Sequence, residues 1–156
     1  MASRKAKPNP IGELACACAA ARRTARAVTQ LYDEILRAHH IEGAQFALLA
    51  MMDKSGECTQ ASLAERFDFD KTTISRNLRL LARKKWIEFA RGSDGRERRV
   101  RLTPAGQKRL AAAKPAWRAA QDRLRGSMNQ RDWDAMLAIF SRVTTAARSA
   151  RSGRTA

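Results

Sequence analysis

The stretch DKTTISRNLRLLARKKWIEFARGSDGRERRVRLT, residues 70–103, decides how the rest of the chain is read. Asp70 is a good N-cap, because its short carboxylate can accept from the first amides of a helix that runs on to about Lys85. At about 100° per residue, Ile74, Leu78 and Leu81 share one stripe of that helix. Thr72, Arg76, Arg79 and Arg83 share the opposite stripe, with Thr73 and Ser75 at its flanks. Trp86 to Arg91 and Arg98 to Leu102 then read as two strands. The segment Gly92-Ser93-Asp94-Gly95 between them has hairpin turn chemistry. The hairpin is basic, carrying Arg91, Arg96, Arg98, Arg99 and Arg101.

Working upstream, Thr59 caps a short helix through Arg66. Before it, Ala44 to Lys54 is apolar on nearly every side, which predicts a core helix that Gly56 terminates. A long first helix is expected from about Gly12 to Arg37, where Leu14, Cys18, Ala21, Val28, Tyr32, Ile35 and Leu36 recur at helical spacing. His39, His40 and Gly43 mark its end. Downstream, Thr103-Pro104 supplies the N-cap and first-turn proline of another helix. That helix reaches about Leu124, and Pro115 is expected to kink or break it. Gly126 ends it, and a last helix starts at Asn129 or Ser127 and finishes near Ser149. Residues 1–10 and 149–156 read as a disordered basic arm and tail. The expected order is α-α-α-α-β-β-α-α, a mainly α chain with a small β-wing and six helices.

With 156 residues the chain is one ordinary domain. It carries 31 Lys and Arg against 15 Asp and Glu, a formal charge of +16, which favours a polyanionic partner. No apolar run approaches the ~20 residues of a membrane span. Arg4, Lys5 and Lys7 precede an apolar run from Ile11 to Ala21, but Glu13 interrupts it, so it does not read as a secretion signal. Three cysteines, an odd number without disulfide spacing, fit a reducing cytoplasm. No phosphate-cradling loop, zincin motif or nucleophile elbow is present, so neither an enzyme nor a cofactor is expected.

Two short helices followed by a basic hairpin form the winged helix-turn-helix pattern. Its expected partner is double-stranded DNA. Arg76, Arg79 and Arg83 can reach guanine edges, Thr72, Thr73 and Ser75 admit close approach, and Lys71 and the helix-start amides can take phosphates. Arg96 and Arg98 sit on the wing, where Arg96 can enter the adjacent minor groove. A single basic helix face is often only a solvated surface. Two adjacent basic elements in helix–wing order argue against that. An architectural nucleoid protein binding without sequence readout is the rival.

Ala64-Glu65-Arg66, Asp70 to Arg76, Asp94-Gly95-Arg96 and Val100-Arg101-Leu102-Thr103-Pro104-Ala105-Gly106 together resemble the MarR family of bacterial regulators. The Leu-Thr-Pro-Ala-Gly stretch is the most specific part, and the element order matches over roughly residues 12 to 148. The resemblance implies a winged-helix unit at 44–103, with 11–43 and 104–148 building an intertwined homodimer whose paired recognition helices read a pseudopalindrome. The chain is expected to be a cytoplasmic, nucleoid-associated repressor without a metal. The residues agree on dimerisation: Leu124, Met128, Trp133, Met136, Leu137, Phe140 and Val143 put large apolar groups on the terminal helices, beyond the winged core.

Members of this family respond to small aromatic acids or to cysteine oxidation. Cys16 and Cys18, two apart on a helix, should face in different directions, one inward and one outward, and so cannot grip one metal ion alone. Cys18 and Tyr32 match the cysteine–tyrosine interval of the organic-hydroperoxide-sensing branch, where the tyrosine bonds the cysteine. Arg22 and Gly43 stand where that branch has further tyrosines. Arg22, one turn after Cys18, can activate the thiol, whereas inert packing is the usual role of such a cysteine. Cys58 is incidental. His39 and His40 complement a helix C-terminus, and His39, Tyr32, Phe46 and Arg side chains would suit an aromatic or carboxylate effector.

Overall fold

The computed structural model describes residues 16–91 and 98–153, with only the backbone at Arg91 and Arg98. It contains α1 (Ala17–Leu36), α2 (Gly43–Ser55), β1 (Cys58–Thr59), α3 (Gln60–Phe67), α4 (Lys71–Arg83), β2 (Ile87–Arg91), β3 (Arg98–Leu102), α5 (Pro104–Arg125) and α6 (Gln130–Ser152). A single 3-10 turn, Arg37–His39, follows α1. The six helices and the hairpin are those expected. The hairpin pairs Ile87 with Leu102, Phe89 with Val100 and Arg91 with Arg98.

The core explains why these segments fold as they do. Leu36, Leu48, Leu49, Leu63, Ile74, Leu78, Leu81 and Val100 are fully buried, with Met52, Ile87 and Leu110 nearly so. Thus α2 is the central helix, the stripe Ile74–Leu78–Leu81 seats α4 against α3 and β2 in the same core, and the sheet closes one side. Burying each such side chain contributes about 1.5–3 kcal/mol. The caps agree with the sequence: Thr59 accepts from Ser62 N–H at 3.0 Å, Thr103 from Gly106 N–H at 3.1 Å, and Asn129 from Asp132 N–H at 2.8 Å.

Several expectations are corrected. Strand β1 is an addition to the expected elements; it pairs Cys58 with Val100 and Thr59 with Arg99, giving an antiparallel sheet of order β1-β3-β2. Two residues are too few to carry an alternating pattern, and Thr59 also serves as the cap of α3. Helix α1 starts at Ala17, with Cys16 extended as its N-cap. The expected first residues 12–15, like the arm 1–10, lie outside the described residues. Pro115 does not break α5, which continues to Arg125. Pro115 and Ala111 are both exposed, so the carbonyl left without its partner faces water, while buried Leu110, Ala113 and Ala120 hold the helix on either side. Helix α6 passes Ser149 to reach Ser152, so the start of the expected tail is helical. Ser152 Oγ donates to the carbonyls of Arg148 and Ser149, and Arg148 Nε lies 3.5 Å from Asp68 Oδ2.

The joint between the wing and α5 is closely packed. Thr103 N–H donates to the Trp86 carbonyl at 3.1 Å, and Thr103 Oγ1 donates to the Lys85 carbonyl at 2.6 Å. Lys85 itself has φ +58°. A Cβ placed on Gly106 would stand 1.9 Å from the Trp86 carbonyl oxygen.

Candidate nucleic-acid interface

The polar stripe of α4 is displayed as one surface. Lys71, Thr72, Ser75, Arg76, Arg79 and Arg83 line an open groove of about 570 Å³. Lys71, Thr72, Arg76, Arg79 and Arg83 form its outer face, and Ser75 is half-buried. Packing of the opposite stripe into the core turns these cations outward, and their summed charge makes the groove attractive to a polyanion.

Thr73 departs from the expectation. Its hydroxyl donates to Asp70 Oδ2 at 2.7 Å, while Asp70 Oδ1 accepts from the amides of Thr72 and Thr73, each at 2.9 Å. Two of the helix-start amides expected to take phosphate therefore already have an acceptor, at Thr72 and Thr73. The Thr73 hydroxyl and the two amides hold the Asp70 carboxyl below its ordinary pKa. Because the folded value is depressed, this contribution to stability is present above the carboxylate range and is lost as the pH falls through the folded value. Asp70→Ala is expected to lower the melting temperature by a few degrees at neutral pH, with the difference from the parent vanishing in acid. Thermal circular dichroism at both pH values checks it; a gap that persists in acid would rule out the ionised cap as its cause.

On the hairpin, Arg96 lies outside the described residues, and Arg98 is described only through its backbone pairing with Arg91. Two of the remaining wing arginines have acidic neighbours. Arg101 Nε donates to Glu88 Oε1 at 2.7 Å, directly across the ladder, and Arg99 Nη1 stands 3.4 Å from Glu57 Oε1. These carboxylates are absent from the sequence-based site. The hairpin register was a sufficient signal for Glu88, whereas Glu57 required knowledge of β1.

Within one chain the sensor candidates are not brought together. Cys16 and Cys18 are both exposed, contrary to the expectation that one would face inward. Among the described residues the N-terminal part of α1 is not covered by its own chain, Leu36 being the one buried residue of the helix. Cys18 and Tyr32, fourteen residues apart on one continuous helix, are separated by about 21 Å of rise. The Tyr32 hydroxyl donates instead to Gln121 Oε1 on α5, and burial raises its pKa. Arg22 is exposed and His39 half-buried. Phe46 stacks on Trp117 at 5.6 Å. Cys58 is buried and directs its thiol to the Gly56 carbonyl at 3.5 Å. Among the described residues no group of His, Cys, Asp or Glu side chains is placed to hold a metal ion, and no helix is long and apolar enough to cross a membrane.

A second surface is apolar. Leu137, Ile139, Phe140 and Val143 are each 44–52% exposed, and α6 buries no residue at all. Between α6 and the small side chains of α1 (Ala17, Ala20, Ala21, Thr24) runs a cleft of about 550 Å³ floored by Phe140 and Val143. Leu124, Met128, Trp133 and Met136 belong to the same terminal helices and the turn between them.

Known proteins share this fold. A sequence profile described as "MarR family" matches residues 40–97. The transcriptional regulator MosR of M. tuberculosis, solved in complex with DNA, is 33% identical; the match covers 87% of this chain and 98% of MosR, with a TM-score of 0.81. A cysteine-to-serine mutant of MarR from E. coli, complexed with operator DNA, shares the fold at 18% identity, covering 86% of this chain and 98% of that one, with a TM-score of 0.78. PcaV of Streptomyces coelicolor, in complex with its natural ligand, shares it at 22% identity, covering 94% and 99%, with a TM-score of 0.75. Curated protein sequences give no match. With a helix-turn-helix and wing in place, a profile match across that unit and one-third identity over nearly the whole of MosR, the chain belongs to the MarR family of transcriptional regulators.

Proposed function

We propose that this protein is a repressor that binds a pseudopalindromic operator as a homodimer and is released by a small-molecule effector. The observation that carries the reading is the α4 stripe: three arginines with Thr72 and Ser75 along one groove, backed by a packed helix. Arg76 and Arg79 read guanine edges, Arg83 joins them or takes a phosphate, Lys71, Thr72 and Ser75 contact phosphates, and Thr73 acts through the cap. Arg96 and Arg98 carry the wing to the adjacent minor groove. The uncovered faces of α1 and α6 support a second copy of the chain as partner, which places two recognition helices on one face of the duplex.

Release by a ligand is favoured over thiol oxidation, because the Tyr32 hydroxyl is already engaged by Gln121. The effector class follows from the family resemblance, an aromatic carboxylate; Phe46 itself is buried and stacked on Trp117. Selection of duplexes from a random-sequence pool tests the reading. The protein is expected to enrich one site bound on the order of 10³-fold tighter than bulk DNA. Arg76→Ala should cut discrimination against a changed base about 10- to 100-fold, as a lost bidentate contact of about 1–3 kcal/mol implies. Equal affinity for all duplexes would instead mark an architectural protein.

A further inference from the structure

Arg109 lies on the second turn of α5, outside the groove described above, and its guanidinium there meets two other segments. Its Nη1 donates to the His39 carbonyl at 2.8 Å, at the turn where α1 hands over to α2. Its Cζ lies 5.2 Å from the centroid of the Trp86 ring, at the exit of the recognition helix α4. Trp86 is only 7% exposed, and Lys84 Nζ lies 4.4 Å from the same centroid while donating to Oε1 of Gln45, itself 1% exposed, at 3.0 Å. The winged unit is joined to the terminal helices by two covalent connections, the turn after α1 and the Thr103 corner. Arg109 ties the first of these to the second. Arginine suits this post, because its fork can donate to a carbonyl while its plane lies against an aromatic ring.

We propose that Arg109 is a positioning residue for DNA recognition, holding the recognition helix at a fixed angle to α1 and α5 and thereby setting the half-site spacing that the dimer accepts. The inference rests on the dimeric regulator reading above. The lever is sensitive: a swing of about 10° moves a point about 20 Å away, the length of α4, by about one base-pair step of 3.4 Å. Losing Arg109 should therefore leave each winged unit able to bind its half-site while loosening the distance between two of them.

The test uses the site that the full-length protein selects, duplexes with one base pair inserted or deleted at its dyad, and an isolated half-site. The parent is expected to bind the altered spacings at least about 10-fold more weakly, comparable to the loss from a mismatched base pair. Arg109→Met should reduce that penalty to about 2- to 3-fold with half-site affinity unchanged, a combination that general destabilisation does not produce. Arg109→Lys keeps the charge but not the fork, and should relax spacing in the same direction; it serves as the reading if the methionine variant does not fold. Variants that retain the parental spacing penalty overturn this inference alone. A parent that selects no site overturns the regulator reading and takes this inference with it.

Discussion

Replacing Gly106 with alanine is expected to be among the most damaging single-methyl changes this chain can receive. The added Cβ would stand 1.9 Å from the carbonyl oxygen of Trp86 and 2.8 Å from its carbonyl carbon. Both are backbone atoms, and that carbonyl is already held by Thr103 N–H at 3.1 Å. No side-chain rotation relieves the collision, so α5 must lift off the α4–β2 corner. Overpacking of this kind costs about 3 kcal/mol or more, equivalent to a fall of roughly 10 °C in melting temperature for a chain of this size. Thermal circular dichroism of Gly106→Ala beside the parent checks it, and a shift of only a couple of degrees would sink the argument. Gly56→Ala is the control: it meets nothing within 4 Å and is strained only by its φ of +71°. The same contact gives physical content to the Leu-Thr-Pro-Ala-Gly stretch. Thr103 caps α5 and bonds the Lys85 carbonyl, Pro104 opens the helix, and Gly106 lets two backbones touch.

Phe140→Asp is expected to separate the proposed dimer. Phe140 is 44% exposed and floors the cleft between α1 and α6, where no residue of α6 is buried. A carboxylate there is costly only if a second chain covers it, since burying an unpaired charge is far more expensive than leaving it in water. Sedimentation should therefore show a monomer in place of a dimer. Binding to the selected full site should weaken at least about 100-fold, while half-site binding changes little, because a single bivalent event becomes two separate ones. A variant that remains dimeric with full affinity would remove this cleft from the interface.

The features legible in the sequence were those set by local chemistry. Asp70, Thr103 and Asn129 announce helix starts because a cap acts over three residues, and Ile74, Leu78 and Leu81 announce a packed stripe because a helix repeats. What escaped the reading depended on partners distant in sequence. Strand β1 exists only because Val100 and Arg99 lie beside Cys58 and Thr59. Pro115 is disruptive by its type alone, yet the exposure of Ala111 leaves its lost hydrogen bond facing water. Tyr32 matches a sensor interval along the chain, yet its hydroxyl is taken by Gln121, 89 residues away. The recognition stripe was legible as a face, but not the engagement of the Thr73 hydroxyl by Asp70, because the direction of a side-chain proton is not written in spacing.

A helix with no fully buried residue within its own chain ties the protein's behaviour to its abundance. If α6 finds its cover only in a second copy, association and the ordering of the terminal helices become a single mass-action equilibrium, and apparent stability rises with the amount of protein present. The supply of binding-competent molecules then grows faster than linearly with synthesis while the chain is dilute. Occupancy of a DNA site would respond to the expression level of the regulator with a threshold, even before any ligand is bound.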